Sequence, residues 1–199
     1  MNAKAQKVET PLPPAPALPW GSDPEAAIRW AYEGLTVSAV PSSSIANLTR
    51  PKRGGPPTEW ASLDRIDQAS TIRFLADRIE SAELRAYITA AYLPTPVRES
   101  VPGGGGAVFD RFGTTRGAAI RALAYYMREG HPKVSQTGAE EVIAQYITGV
   151  QNNDAMCRAM RLRRERAGET RKDWYARLDD IHARAMQAVG ARLRKVGLL

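Results

Sequence analysis

The sequence predicts an all-α protein: a helical bundle, then a C-terminal helix-turn-helix-like region with a long final helix. Three observations carry this reading. Apolar residues recur at three- and four-residue spacing over most of the chain beyond residue 20. No stretch alternates apolar and polar residues with the period of two that a half-buried strand needs. Helix-starting Ser, Thr, Asn and Asp and helix-stopping Gly and Pro punctuate the periodic stretches. Three regions are predicted: a Pro-rich tail over 1–20, a helical core over 21–132, and a basic helix-turn-helix-like region over 133–199.

In the tail, Pro11, Pro13, Pro14, Pro16 and Pro19 forbid helix and favour an extended chain with nothing to bury. Ser22-Asp23-Pro24-Glu25 then reads as a helix start, with Ser22 as cap and Glu25 completing a capping box. That helix is expected to reach Gly34 and to bury Ile28 with Trp30 or Ala31. Residues 36–58 read as irregular. Their Arg50, Lys52 and Arg53 belong to a solvated loop.

Trp60, Leu63, Ile66, Ala69, Ile72, Leu75 and Ile79 mark a second helix. Ser81 restarts a third, with Leu84, Tyr87, Ile88 and Ala91, stopped by Pro94. These two are expected to pair antiparallel. A loop ending in Gly103 to Gly106 follows, and Thr114 or Thr115 opens a helix carrying Ile120, Leu123, Ala124 and Met127. Gly130-His131-Pro132 ends it.

The last third predicts three more helices. Thr137-Gly138-Ala139-Glu140 is a capping box for a short helix with Val142, Ile143, Tyr146 and Ile147, stopped by Gly149 in a left-handed turn. Asn153 or Asp154 caps the next, which holds Met156, Ala159 and Met160 and runs to about 166. Gly168 breaks it. Thr170 is expected to cap the final helix, whose apolar stripe is Trp174, Leu178, Ile181, Ala185, Ala188 and Leu193, and Gly197 closes it. About 26 residues at 1.5 Å each make it roughly 39 Å long.

Composition narrows the function classes. Of 199 residues 43% are hydrophobic and 25% charged, ordinary for a globular domain. No run of about 18 apolar residues exists, so no membrane span is expected. Lys4 and Lys7 are not followed by an apolar stretch, so no secretory signal is expected either. The single cysteine, Cys157, cannot form an internal disulfide and leaves no Cys-rich zinc module. A cytoplasmic setting is the expectation.

The net charge is +7, and its location matters more than its size. Residues 155–199 contain 12 Lys and Arg against 5 Asp and Glu, so the whole excess sits there. The other 154 residues balance at 16 against 16. Charge concentrated in this way is the footprint of a phosphate-binding element rather than of a uniformly solvated surface.

Enzyme chemistry finds no support. Gly103 to Gly106 lacks the Lys-Ser or Lys-Thr of a phosphate loop. His131 and His182 stand alone, with no Cys or acidic partner at ligand spacing, so neither a metal nor a cofactor is expected. Asp179 and Asp180 are adjacent, which on a helix turns them about 100° apart and prevents paired action. Cys157 reads as a small helix-face residue.

The binding reading is stronger. Two short helices followed by a helix with a basic start is helix-turn-helix order. Arg158, Arg161, Arg163, Arg164 and Arg166 suit contact with the phosphate backbone, which positions a protein without reading bases. Arg171 and Lys172 are expected in the first turn of the third helix, where free N–H groups already favour an anion, with Arg177 following on that helix. Trp174, in phase with Leu178 and Ile181, is a core anchor rather than a base-stacking ring.

Several segments together resemble a known group. They are Ala26-Ala27-Ile28-Arg29-Trp30-Ala31-Tyr32, the later helix with Trp60 and Gln68-Ala69, the turn Tyr146-Ile147-Thr148-Gly149-Val150, and Thr170 to Leu199 with its Gly197-Leu198-Leu199 end. The pattern, over about two-thirds of the chain, is similar to the Q-type late-gene antitermination proteins of phages and related phage regulators with a sigma region 4-like helix-turn-helix. The resemblance implies a protein of the bacterial host cytoplasm. It would bind double-stranded DNA at a late promoter, load onto host RNA polymerase holoenzyme, and suppress pausing and termination. It places Arg171, Lys172, Tyr175 and Arg177 toward DNA. The sequence departs from the pattern in a longer stretch, Leu162–Glu169, where a compact turn is expected, and in having no zinc-binding cysteines. The alternative reading is a phage DNA-packaging protein of the small-terminase kind, which also joins a helix-turn-helix to helical self-association.

Overall fold

A computed structural model describes residues 18–38, 58–94, 107–129 and 133–199. The described part is all-α, with seven helices and no strand among the described residues. They are α1 (Pro24–Ser38), α2 (Thr58–Asp77), α3 (Ala82–Tyr92), α4 (Ala107–Arg128), α5 (Gln136–Thr148), α6 (Asn153–Met160) and α7 (Arg164–Lys195). Most of the Pro-rich tail, the loop with Arg50, Lys52 and Arg53, Gly103 to Gly106, and His131 lie outside the described residues.

The helix ends follow local chemistry and correct several expectations. Asp23, not Ser22, caps α1: its Oδ1 accepts from the Glu25 N–H at 2.9 Å and its carbonyl from Ala27. This leaves Pro24 at the first helical position, where its missing N–H costs nothing. Glu25 turns outward to Arg29, 2.9 Å away, instead of back to the cap. α1 continues past Gly34 to Ser38.

Ser81 does cap α3, accepting from the Leu84 N–H. α4 begins at Ala107, seven residues before Thr114. Ser135 rather than Thr137 caps α5, by accepting from the Gly138 N–H. Asn152, one residue before the expected position, caps α6. Gly149 and Gly197 have φ of +69° and +74°, the left-handed geometry that stops a helix.

The largest correction concerns the last helix. α6 stops at Met160 rather than near 166, and α7 starts at Arg164 and runs unbroken for 32 residues, about 48 Å. Gly168 does not break it and Thr170 does not cap it. A glycine inside a helix costs only about 1 kcal/mol relative to alanine. Here the helix carries Ala167, Trp174 and Leu178 into the core with no accessible surface, and burying one such large side chain is worth about 2–3 kcal/mol.

α7 is the spine of the molecule, touching α1, α2, α3, α5 and α6. Its stripe of Trp174, Leu178, Ile181, Ala185, Val189 and Leu193 meets Ile28 of α1, Ile72 of α2 and Ile88 of α3 in one buried cluster. The expected pairing of α2 with α3 is weak. α2 packs on α1, and α3 lies against α4 and α7. Ile66, expected inward, is 46% exposed, because the buried face of α2 is Ala69, Ile72 and Ala76. The packed chain also begins before residue 21. Trp20 is 4% exposed, stacks against Trp30 with ring centroids 4.6 Å apart, and donates its indole N–H to the Leu198 carbonyl at 2.9 Å. No helix of the described residues is long and apolar enough to cross a membrane.

Candidate nucleic-acid interface

α5, α6 and the start of α7 form a three-helix unit with a compact turn. α5 and α6 are joined by 149–152, and α6 and α7 by only Arg161, Leu162 and Arg163. The lengthened stretch expected over Leu162–Glu169 is instead the first turns of α7, so the spacing of a helix-turn-helix is present.

The joint between α5 and α6 is tight. A Cβ on Gly138 would stand 2.8 Å from the Met160 Cα, so only glycine lets the two backbones approach this closely. Ser135 closes the same joint. Its hydroxyl donates to the Ala159 carbonyl at 2.7 Å while accepting from the Gly138 N–H. The end of α6 is thereby held against the start of α5, which fixes where the following turn leaves the unit.

The turn itself carries charge in an unusual conformation. Arg161 has φ +57°, the only positive φ at a non-glycine among the described residues. Such a left-handed arginine is strained by about 1–2 kcal/mol relative to glycine. Its N–H still closes the end of α6 on the Arg158 carbonyl.

Arg163 caps α7 with no side-chain hydrogen bond, so the first N–H groups of α7 have no side-chain acceptor. Arg158, Arg161, Arg163, Arg164 and Arg166 are all exposed. None forms an ion pair or a side-chain hydrogen bond among the described residues. Positive side chains around a helix N-terminus oppose the helix dipole. Arg161, Arg163, Arg164 and Arg166 gather there beside a single first-turn carboxylate, Glu165, with which none of them is paired, an excess of positive charge that suits an anion.

The other sequence-predicted site residues divide differently. Lys172 is exposed, but it lies in the third turn of α7, not the first. Arg171 donates to the Asn153 side chain, tying α7 to α6. Arg177 donates to the Met127 and Tyr126 carbonyls at 3.1 and 3.3 Å, filling acceptors that the end of α4 leaves empty. Tyr175 is half-buried edge-on to Tyr146, centroids 5.2 Å apart, and its hydroxyl is shielded from solvent. Thr170 is half-buried inside the helix. Arg171 and Arg177 are thus engaged within the fold, and starting α7 six residues earlier moves Arg171 and Lys172 from its first turn to its third.

A second feature gave no sequence signal. Glu25 and Arg29 of α1, Tyr87 and Tyr92 of α3, Tyr146 of α5, and Asp179 and His182 of α7 line a cleft of about 560 Å³. His182, isolated in sequence, has partners on both ring nitrogens: the Tyr87 hydroxyl at 3.1 Å from Nδ1 and Glu25 at 3.4 Å from Nε2. Burial pushes the Tyr87 phenol up to about 12. It also raises those of Tyr92 and Tyr146, helped by the neighbouring carboxylates Glu25 and Asp179. No three of the His, Cys, Asp and Glu side chains among the described residues come together as metal ligands.

No protein-family model, no curated protein and no solved structure matches the chain.

Proposed function

We propose that this protein binds double-stranded DNA through the corner formed by α6, the Arg161–Arg163 turn and the start of α7, and acts as a phage transcription regulator. The observation that carries the proposal is the set of five exposed arginines within nine residues, free of protein partners and spread over the last turn of α6, the turn after it and the first turn of α7. Phosphate neutralisation supplies most of the affinity such a face has. Base reading falls to side chains of the first turn, in the position of a recognition helix. The resemblance to Q-type antitermination proteins narrows the role to loading on host RNA polymerase and suppressing termination.

Two measurements test this. Full-length protein should bind duplex DNA with affinity falling steeply as salt rises, and should be retained by RNA polymerase holoenzyme and increase read-through of a terminator in vitro. DNA binding without retention by polymerase, together with closed rings of many subunits, would replace antitermination with DNA packaging. Absence of DNA binding would remove both roles.

A further inference from the structure

We propose that the cleft between α1, α3, α5 and α7 is a binding site for a small organic cation bearing an ammonium or guanidinium group. The site is separate from the arginine corner and does not depend on the DNA-binding proposal.

The volume, about 560 Å³, falls in the range of small-molecule sites. Its lining inverts the charge of the chain. Glu25, Glu33 and Asp179 face one arginine and one histidine, in a protein whose net charge is +7. The cation, Arg29, is neutralised by Glu25 at 2.9 Å.

The phenolic hydrogen of Tyr146 is already committed. Tyr146 donates to Asp179 Oδ1 at 2.6 Å, and Tyr87 is paired with His182 Nδ1 at 3.1 Å. Acceptor capacity remains: Asp179 Oδ2 has no hydrogen-bond or ion-pair partner among the described residues. A ligand that brings donors and positive charge suits this open carboxylate oxygen and the acidic lining. Three of the lining residues are tyrosines, a ring type that attracts ammonium and guanidinium groups. Tyr175, packed edge-on against Tyr146, holds one of those rings in place.

The same chemistry could arrive as a free amine or as an arginine side chain of another protein, and the test separates them. Full-length protein is titrated by calorimetry with agmatine, with N-acetylarginine methylamide and, as an anionic control of similar length, with succinate. Saturable binding of at least one of the two cations and none of succinate is expected. Tighter agmatine marks a free amine as the ligand, and tighter arginine amide marks a protein side chain.

Asp179→Asn keeps an acceptor for Tyr146 while removing the charge, and should weaken cation binding at least tenfold. Asp180→Asn removes an equal charge from an aspartate that pairs instead with Arg184 at 2.9 Å, and should leave binding within twofold. Glu33→Gln, on an exposed position, removes a second carboxylate of the lining and should weaken binding several-fold. No saturable cation binding, equal losses at Asp179 and Asp180, or no loss at both Asp179 and Glu33 would overturn the proposal.

Discussion

From the last turn of α6 to the first turn of α7, Arg158, Arg161, Arg163, Arg164 and Arg166 are exposed and unpaired. Farther along the same helix, Arg171 is tied to Asn153, Arg177 to two carbonyls of α4, and Arg184 to Glu83 and Asp180. The residue type is the same and the net charge counts both groups alike. What separates them is whether the fold leaves acceptors within reach. Past the second turn, α7 runs beside the end of α4 and the Glu83 carboxylate of α3, and its arginines serve packing. At its start there is no such neighbour, and the charge faces outward. A basic stretch thus divides into a framework and a binding face, and only the second should respond to DNA.

The largest effect expected is on the joint that presents the binding face. Gly138→Ala forces a Cβ to within 2.8 Å of the Met160 backbone. Overpacking of this kind costs about 1–3 kcal/mol, about 3–10 °C of melting temperature for a chain of this size. Thermal melting followed by circular dichroism measures it, and an unchanged melting temperature would mean the joint is looser than drawn.

Arg177→Ala should follow, losing about 1–2 kcal/mol because two carbonyls at the end of α4 lose their donor. DNA affinity of the folded protein should stay within twofold. Weaker binding with an unchanged melting point would return Arg177 to the DNA-facing group.

Arg171→Ala should cost less, about 0.5–1.5 kcal/mol, since it breaks one polar contact at a half-buried site. Urea denaturation resolves a change of that size.

Arg161→Gly is the smallest in stability and opposite in sign. Glycine accepts φ +57° without strain, so the protein should become more stable by up to about 1 kcal/mol while binding DNA less tightly. A gain in stability with no loss of binding would show that the arginine at this turn has no part in the interface.

The sequence showed the helices through their apolar period and much of the core through particular residues. Ile120, Leu123, Met127, Trp174, Leu178 and Ile181 are buried as their spacing predicts. It misplaced the boundary that sets the proposed interface. Gly168 and Thr170 look like a stop and a start, but a local penalty of about 1 kcal/mol yields to the burial of Ala167 and Trp174 on either side. Six residues of error moved Arg171, Tyr175 and Arg177 from the frame to the DNA face and hid the compact Arg161–Arg163 turn. The charge concentration itself was legible, because composition does not depend on where a helix begins. The cleft was not legible at all. Glu25, Tyr87, Tyr146 and His182 lie on four helices, and only tertiary packing brings Tyr87, 95 residues away in sequence, to within 3.1 Å of the His182 ring.

The central claim is that the unpaired arginines at the start of α7 contact phosphate while those farther along do not. It is tested most directly by the slope of log affinity against log salt for duplex DNA. Each phosphate contact contributes about −0.9 to that slope. Substituting Arg163, Arg164 and Arg166 together by Ala should make the slope shallower by about 2.7, with the melting temperature unchanged or slightly raised as positive charge leaves the helix N-terminus. Substituting Arg171 and Arg177 by Ala, at a temperature where that variant is folded, should leave the slope as it was. Equal slopes for wild type and the triple variant, or a loss of slope in the Arg171 and Arg177 variant, would contradict the account.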